Sequence, residues 1–75
     1  MALDTLFDAV KELYIRMLSG ETLEEAKRCL KYHEDLFAEE KEELDKCING
    51  LMNQFGIDEL EAMRIIYNSY LKGSM

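Results

Sequence analysis

Proline is absent from the sequence, and only four of its 75 residues are glycine. These residue types interrupt helices and shape tight turns, so their scarcity disfavours folds made of many short strands and loops. No apolar stretch approaches the about 20 residues of a membrane span, and the first residues lack the basic and then apolar pattern of a secretory leader. We therefore predict an all-α, cytoplasmic protein that does not bind a membrane.

Cysteine and histidine are also scarce, with two cysteines and one histidine. Small secreted domains held by disulfides usually have four or more cysteines, so Cys29 and Cys47 are expected to be free thiols. Cys29 and His33 lie one helical turn apart and could face one metal ion, but two ligands do not complete a site. We predict no metal and no cofactor, and we interpret His33 as a core residue.

No catalytic arrangement is recognisable. An activated nucleophile needs a neighbouring base and a third group that orients the base, whereas the three serines are scattered along the chain. Carboxylates are plentiful, but acid–base catalysis also needs a pocket that separates their pKa values, and a small helical core has little room for one. We predict that the protein is not an enzyme and has no catalytic residues.

The chain does contain 48% hydrophobic residues, arranged at helical spacing. Apolar residues recur every three or four positions in three segments, which predicts a single helical domain over residues 1–75. Helix 1 is expected at about 4–18, helix 2 at about 22–55 and helix 3 at about 58–72.

Recognisable signals mark several of these boundaries. Thr22 and Glu25 have the spacing of a capping box, in which each side chain accepts a hydrogen bond from the backbone amide of the other residue. Asp58 and Glu61 have the same spacing at the start of helix 3. Gly56 suits the left-handed conformation that often ends a helix, here helix 2.

The architecture depends on whether helix 2 is continuous. As one helix it would be roughly 50 Å long, and helices 1 and 3 would fold back on its two halves. Each half would have a thin core, so a second chain would have to cover an apolar seam in which Glu40 is the one charged residue. Alternatively, a break near 38–41 gives a compact four-helix bundle within one molecule, and Gly50 is another candidate interruption. Because no helix breaker marks 38–41, we favour three helices with a long central helix, in a homodimer.

Negative charge is concentrated in the middle of the chain. Residues 21–45 carry −6 of the formal net charge of −7. Seven acidic residues, here called the acidic patch, crowd part of this segment with only Lys41 among them: Glu34, Asp35, Glu39, Glu40, Glu42, Glu43 and Asp45. Direct binding to nucleic acid is disfavoured, because it needs basic side chains opposite the phosphates. The acidic patch is either a solvated helix face or a surface that meets a basic partner.

The candidate binding residues are the acidic patch, together with Ile15 and Tyr32, which lie off the apolar stripes and are expected to be exposed contacts. We predict a protein–protein interaction module: an acidic inhibitor or adaptor that binds a basic surface of a larger protein, for example as a mimic of nucleic acid. The alternative is a self-assembling homodimer, structural or regulatory in role, whose acidic face only provides solubility.

Overall fold

The computed structural model describes the backbone of residues 2–73 and the side chains of residues 6–72. Within this range the chain forms five helices and no strand: α1 (Ala2–Leu18), α2 (Leu23–Ala26), α3 (Leu30–His33), α4 (Ala38–Phe55) and α5 (Glu59–Gly73). The all-α prediction is confirmed. Helices 1 and 3 of the sequence analysis correspond to α1 and α5. A membrane crossing would need a longer apolar helix than any found in this range.

The helices α2, α3 and α5 pack on α1, and α4 packs on α5. The helices α1 and α5 run antiparallel. Phe7, early in α1, stacks on Tyr67 with ring centroids 5.7 Å apart and meets Tyr70 edge-on, both late in α5. At the opposite ends of these helices, Met17 and Leu60 line one surface depression.

The core forms within a single chain. The largest fully buried side chains are Val10 and Leu13 from α1, Ile48 from α4 and Met63 from α5. The three long helices therefore meet at one apolar centre. Every other buried side chain among the described residues is also hydrophobic, including Tyr32 and Cys29 from the segment between α1 and α4.

The long central helix is wrong, because the segment predicted as helix 2 divides into α2, α3 and α4. The longest dimension of the molecule is 32 Å, too short for a helix of roughly 50 Å. The predicted alternative break was also misplaced: the chain leaves the helical path at 27–29 and 34–37, whereas 38–41 is the first turn of α4. Gly50 does not interrupt α4.

At both breaks the backbone forms tight hydrogen-bonded turns. The amides of Arg28 and Cys29 donate to the carbonyls three residues back, each at 3.1 Å, which is the pattern of a 3₁₀ turn. The amides of Glu34 and Asp35 both donate to the carbonyl of Leu30, at 2.9 and 3.2 Å. These turns rotate the chain so that Cys29, rather than Leu30, enters the core.

In a continuous helix 2, the spacing of the apolar residues would place Leu30 and Phe37 in the seam and Tyr32 outside it. Leu30 and Phe37 are 65% and 74% exposed, whereas Tyr32 and Leu36 are buried. Because α1 offers its apolar face to this segment, burial of the second pair outweighs the regular hydrogen bonds of a longer helix. Tertiary packing therefore decides where the helix breaks.

The predicted boundary signals are confirmed. The Thr22 hydroxyl accepts from the Glu25 amide at 3.2 Å, and the Glu25 carboxylate accepts from the Thr22 amide at 2.9 Å, which holds the pKa of Glu25 below its usual value. The Asp58 carboxylate accepts from the Glu61 amide at 2.9 Å. Gly56 ends α4 in the left-handed conformation, with φ +64°.

Alanine substitutions at two glycines, one in α4 and one directly after it, should change the free energy of unfolding in opposite directions. Gly56→Ala should lower the free energy of unfolding by about 1 kcal/mol, because a side chain strains the left-handed conformation. Gly50→Ala should raise it by about 1 kcal/mol, because Gly50 is helical and an added Cβ would meet nothing within 4 Å. Urea denaturation followed by circular dichroism measures both changes. A loss of stability in Gly50→Ala would contradict a continuous α4.

Candidate protein-binding surface

The acidic patch extends over the α3–α4 loop and the first half of α4. Glu34 and Asp35 lie in the loop, and the other five members lie on α4. The carboxylate of Glu40 accepts a hydrogen bond from the Phe37 amide at 2.9 Å and so satisfies a free donor at the start of α4. Glu40 is therefore a helix-capping residue. The prediction that it is the lone charge in an apolar seam is wrong.

Two further members of the acidic patch have basic partners. The Lys27 ammonium donates to Asp45 at 2.6 Å and links the residue that follows α2 to α4. Burial lowers the pKa of Lys27, but the interactions with Asp45 and Tyr32 together outweigh burial, so the pKa of Lys27 is raised. Glu42 pairs with Lys46 at 3.3 Å, one turn along α4, and both side chains are largely exposed. A surface pair of this kind contributes little to stability.

The remaining four residues form the exposed acidic face: Glu34, Asp35, Glu39 and Glu43. All four are exposed, and none has a cation within 4 Å in the described part of the chain. Glu39 and Glu43 lie one turn apart on α4, where like charges destabilise a helix. The acidic patch therefore divides into members that hold the fold together and members that face solvent with uncompensated charge.

Tyr32 explains why Lys41 does not neutralise this face. Contrary to the prediction, Tyr32 is buried, with 7% of its surface exposed, and it lies close to two lysines. The ammonium of Lys27 is 5.4 Å from its ring centroid and that of Lys41 is 5.7 Å away. Lys41 also donates to the carbonyl of His33 at 3.0 Å. The one basic residue of the acidic patch segment is thus engaged with Tyr32 and the end of α3.

Ile15, the other predicted exposed contact, is 47% exposed. It lies on α1 with exposed Leu18 one turn further on. Ile15 therefore belongs to a different helix from the acidic patch.

An apolar groove of about 440 Å³ lies between α4 and α5. Its α4 wall consists of Cys47, Gly50, Leu51 and Gln54. Its α5 wall consists of Ile65, Ile66, Ser69 and Tyr70. Because Gly50 has no side chain and Cys47 and Ser69 are small, the groove is open to solvent.

The groove continues from the exposed acidic face along one side of α4. Residues 39, 43, 47, 50 and 54 are spaced by three or four positions, which places them on the same side of a helix. Going along this side, Glu39 and Glu43 come first and are followed by Cys47, Gly50 and Gln54 in the groove. A molecule bound along this side of α4 would therefore contact carboxylates at one end and an apolar surface at the other.

Tyr70 lies at the end of the groove nearer to Glu40. Burial raises the pKa of the Tyr70 phenol, and the neighbouring Cys47 and Glu40 raise it further. The phenol is therefore neutral at physiological pH. With Ser69, it gives the α5 wall two hydroxyl groups among apolar side chains.

The described residues give no support to metal chemistry. No group of three histidine, cysteine or acidic side chains among them could hold a metal ion. His33 is exposed at the end of α3, so its interpretation as a core residue is wrong. Cys29 is buried and Cys47 exposed, and both are free thiols, as predicted.

Comparisons with known protein families, curated proteins and solved structures gave no match. The function of this surface is therefore inferred from its own residues alone.

Sequence reasoning missed the groove. It treated Gly50 as a candidate helix break. A signal was present, because Cys47, Gly50 and Gln54 continue the helical spacing of Glu39 and Glu43. The spacing alone could not show that α5 would supply a facing apolar wall.

Proposed function

We propose that this chain is a non-enzymatic protein-binding module, a small acidic inhibitor or adaptor whose exposed acidic face binds a basic surface of a larger protein. The observation that carries the proposal is the set of four exposed carboxylates without a nearby cation in the described chain. Arginine or lysine side chains of a partner would relieve the repulsion between Glu39 and Glu43.

Proteins that handle nucleic acids are a suitable class of partner. Their binding surfaces carry basic side chains that neutralise phosphates, and a helix bearing successive carboxylates presents charge of the same sign as a phosphate backbone. Occupation of such a surface by this chain would exclude the nucleic acid. Charge complementarity would also speed association, and this effect weakens as salt rises.

The test compares two variants with the same change in charge. The first neutralises three of the four residues of the exposed acidic face, through Asp35→Asn, Glu39→Gln and Glu43→Gln. The second neutralises exposed acidic residues elsewhere, through Asp8→Asn, Glu24→Gln and Glu59→Gln. Glu40, Glu42 and Asp45 are left intact because they form the helix cap and ion pairs described above. A partner captured from the native host is purified, and its affinity for each variant is measured at low and physiological salt.

We expect the first variant to bind about tenfold more weakly, a loss of about 1.4 kcal/mol, and the second to bind almost as tightly as the unmodified chain. Binding by the unmodified chain should weaken as salt rises, and the first variant should show a smaller salt dependence. Equal weakening of both variants would show that net charge matters but that the exposed acidic face does not. No weakening in either would refute the proposal.

One observation favours the alternative of a self-assembling homodimer. Leu30 and Phe37 are large apolar residues that are mostly exposed. Burial between two copies would remove them from water. Sedimentation of the unmodified chain as a monomer over a wide concentration range would exclude this alternative.

A further inference from the structure

The apolar groove between α4 and α5 has a shape that suits a helix. Its α4 wall extends from Cys47 to Gln54, about 10 Å at the rise of an α-helix, which is two turns. Leu51 and Ile66 provide apolar surface along this length, and Gly50 leaves the backbone of α4 accessible. An amphipathic helix that lies in a groove inserts side chains spaced at i, i+4 and i+7, which spans a similar length.

Gly50 supports occupation of the groove by something outside the fold. Nothing within the described chain lies within 4 Å of a Cβ added at this position, and the backbone is ordinary helix. The packing and backbone conformation of the described chain therefore do not require a glycine here, and glycine weakens a helix. Its effect on the surface is to widen the groove and permit a close approach to the backbone.

The negative charges next to the groove indicate which kind of helix it would bind. Glu39 and Glu43 lie on the same side of α4 as Gly50 and precede it by three and two turns. We propose that the groove binds an amphipathic helix of the partner protein, with apolar side chains in the groove and arginine or lysine residues at one end against Glu39 and Glu43. This inference rests on the proposed function and adds to it the form that the basic partner takes.

A second copy of this chain is a less suitable ligand for the groove than a basic helix, because of its negative charge. Each copy carries a formal net charge of −7. Its most exposed apolar residues, Leu30 and Phe37, lie beside members of the exposed acidic face. Their insertion into the groove would bring carboxylates towards Glu39 and Glu43, and like charges in contact oppose association.

The test uses a fluorescein-labelled peptide of about 18 residues, long enough to span the acidic and apolar parts of α4. It has leucines at i, i+4 and i+7 on an alanine and glutamine background, with arginines beyond one end of the leucine row, and it is made in both directions. One control peptide replaces the arginines by glutamates, and another replaces the leucines by glutamines. Anisotropy measures binding to the full chain.

Four forms of the chain are tested with these peptides: the unmodified chain, Gly50→Leu, Asn53→Leu and the variant neutralised at Asp35, Glu39 and Glu43. Gly50→Leu places a side chain in the groove at a position where the added Cβ meets nothing within 4 Å in the described chain, so no clash with the backbone is expected. Asn53→Leu is the matched control, because Asn53 is an exposed α4 residue that does not line the groove. Circular dichroism verifies that both variants are folded. Alkylation of exposed Cys47 is a second readout, since buried Cys29 should not react in the folded chain.

We expect the leucine and arginine peptide to bind in at least one direction and to slow the alkylation of Cys47. Gly50→Leu should weaken binding about tenfold, and Asn53→Leu should leave it unchanged. Equal binding by Gly50→Leu and the unmodified chain, or no binding at all, would overturn the groove proposal. Equal binding of the glutamate peptide would overturn the basic character of the occupant.

The two proposals can fail separately. If the peptide without leucines binds as tightly as the peptide with them, and neutralisation of Asp35, Glu39 and Glu43 abolishes that binding, the groove proposal fails and the exposed acidic face remains supported. If Gly50→Leu weakens binding but the neutralised variant does not, the proposed function fails and the groove binds apolar helices regardless of charge.

Discussion

The Leu13→Ala variant is expected to lose about 3 kcal/mol of unfolding free energy, because the substitution leaves a cavity in a core that cannot readily collapse. Leu13 is a fully buried residue of α1 in the hydrophobic core to which α4 and α5 also contribute. A domain of this size rarely has more than about 5 kcal/mol of stability, so about 2 kcal/mol or less should remain in the variant. Urea and thermal denaturation, followed by circular dichroism, measure the change.

Ile15→Ala is the matched control for this result. Ile15 lies half a turn away on α1 and is about half exposed, so its replacement should change stability by no more than about 0.5 kcal/mol. Alanine favours helix at both positions, so a difference between the variants reports packing rather than helix propensity. Similar losses in the two variants would contradict the burial pattern of α1.

The second large effect is expected at Tyr32. Tyr32→Ala should cost about 3 kcal/mol, because it removes a buried aromatic side chain from the contact of α3 with the rest of the core. The helices α2 and α3 have four residues each, too few to be stable without tertiary contacts. Hydrogen exchange should therefore show faster exchange over residues 23–36 than over α5. Tyr32→Phe keeps the ring and should cost about 1 kcal/mol or less.

Leu30→Ala decides between the observed fold and a continuous helix 2. Leu30 is on the same short helix as Tyr32 but is mostly exposed, so its loss should change stability by no more than about 0.5 kcal/mol. In a long helix Leu30 would lie in the apolar seam and Tyr32 would be exposed, which reverses the order of the two effects. A larger loss for Leu30→Ala than for Tyr32→Ala would contradict the structure described here.

The proposed partner surface combines two features of α4 that are weak signals on their own. Charged helix faces are common on soluble proteins, and shallow apolar grooves occur between many helices. Here Glu39 and Glu43 lie on the same side of α4 as Gly50 in the groove, so in the proposed complex the carboxylates would steer the partner and the groove would hold its apolar side chains. Such a surface would select a helix that is basic at one end and apolar over the next two turns.

The sequence by itself determined the helical class, the boundaries at Thr22, Gly56 and Asp58, and the concentration of negative charge. These features arise from side chains and backbone groups three or four positions apart, and they are the same in any fold that keeps the helices. Glu39 and Glu43 could be placed on one side of a helix for the same reason.

Only the tertiary structure decided where helix 2 breaks, which aromatic residue is buried and where a groove forms. Tyr32 enters the core and Leu30 leaves it because α1 offers an apolar face to this segment, and that contact joins residues far apart in the chain. The regular spacing of three between buried Leu23, Ala26 and Cys29 hinted at the tighter turn. The groove likewise depends on α5 packing beside α4, a contact that no local pattern specifies.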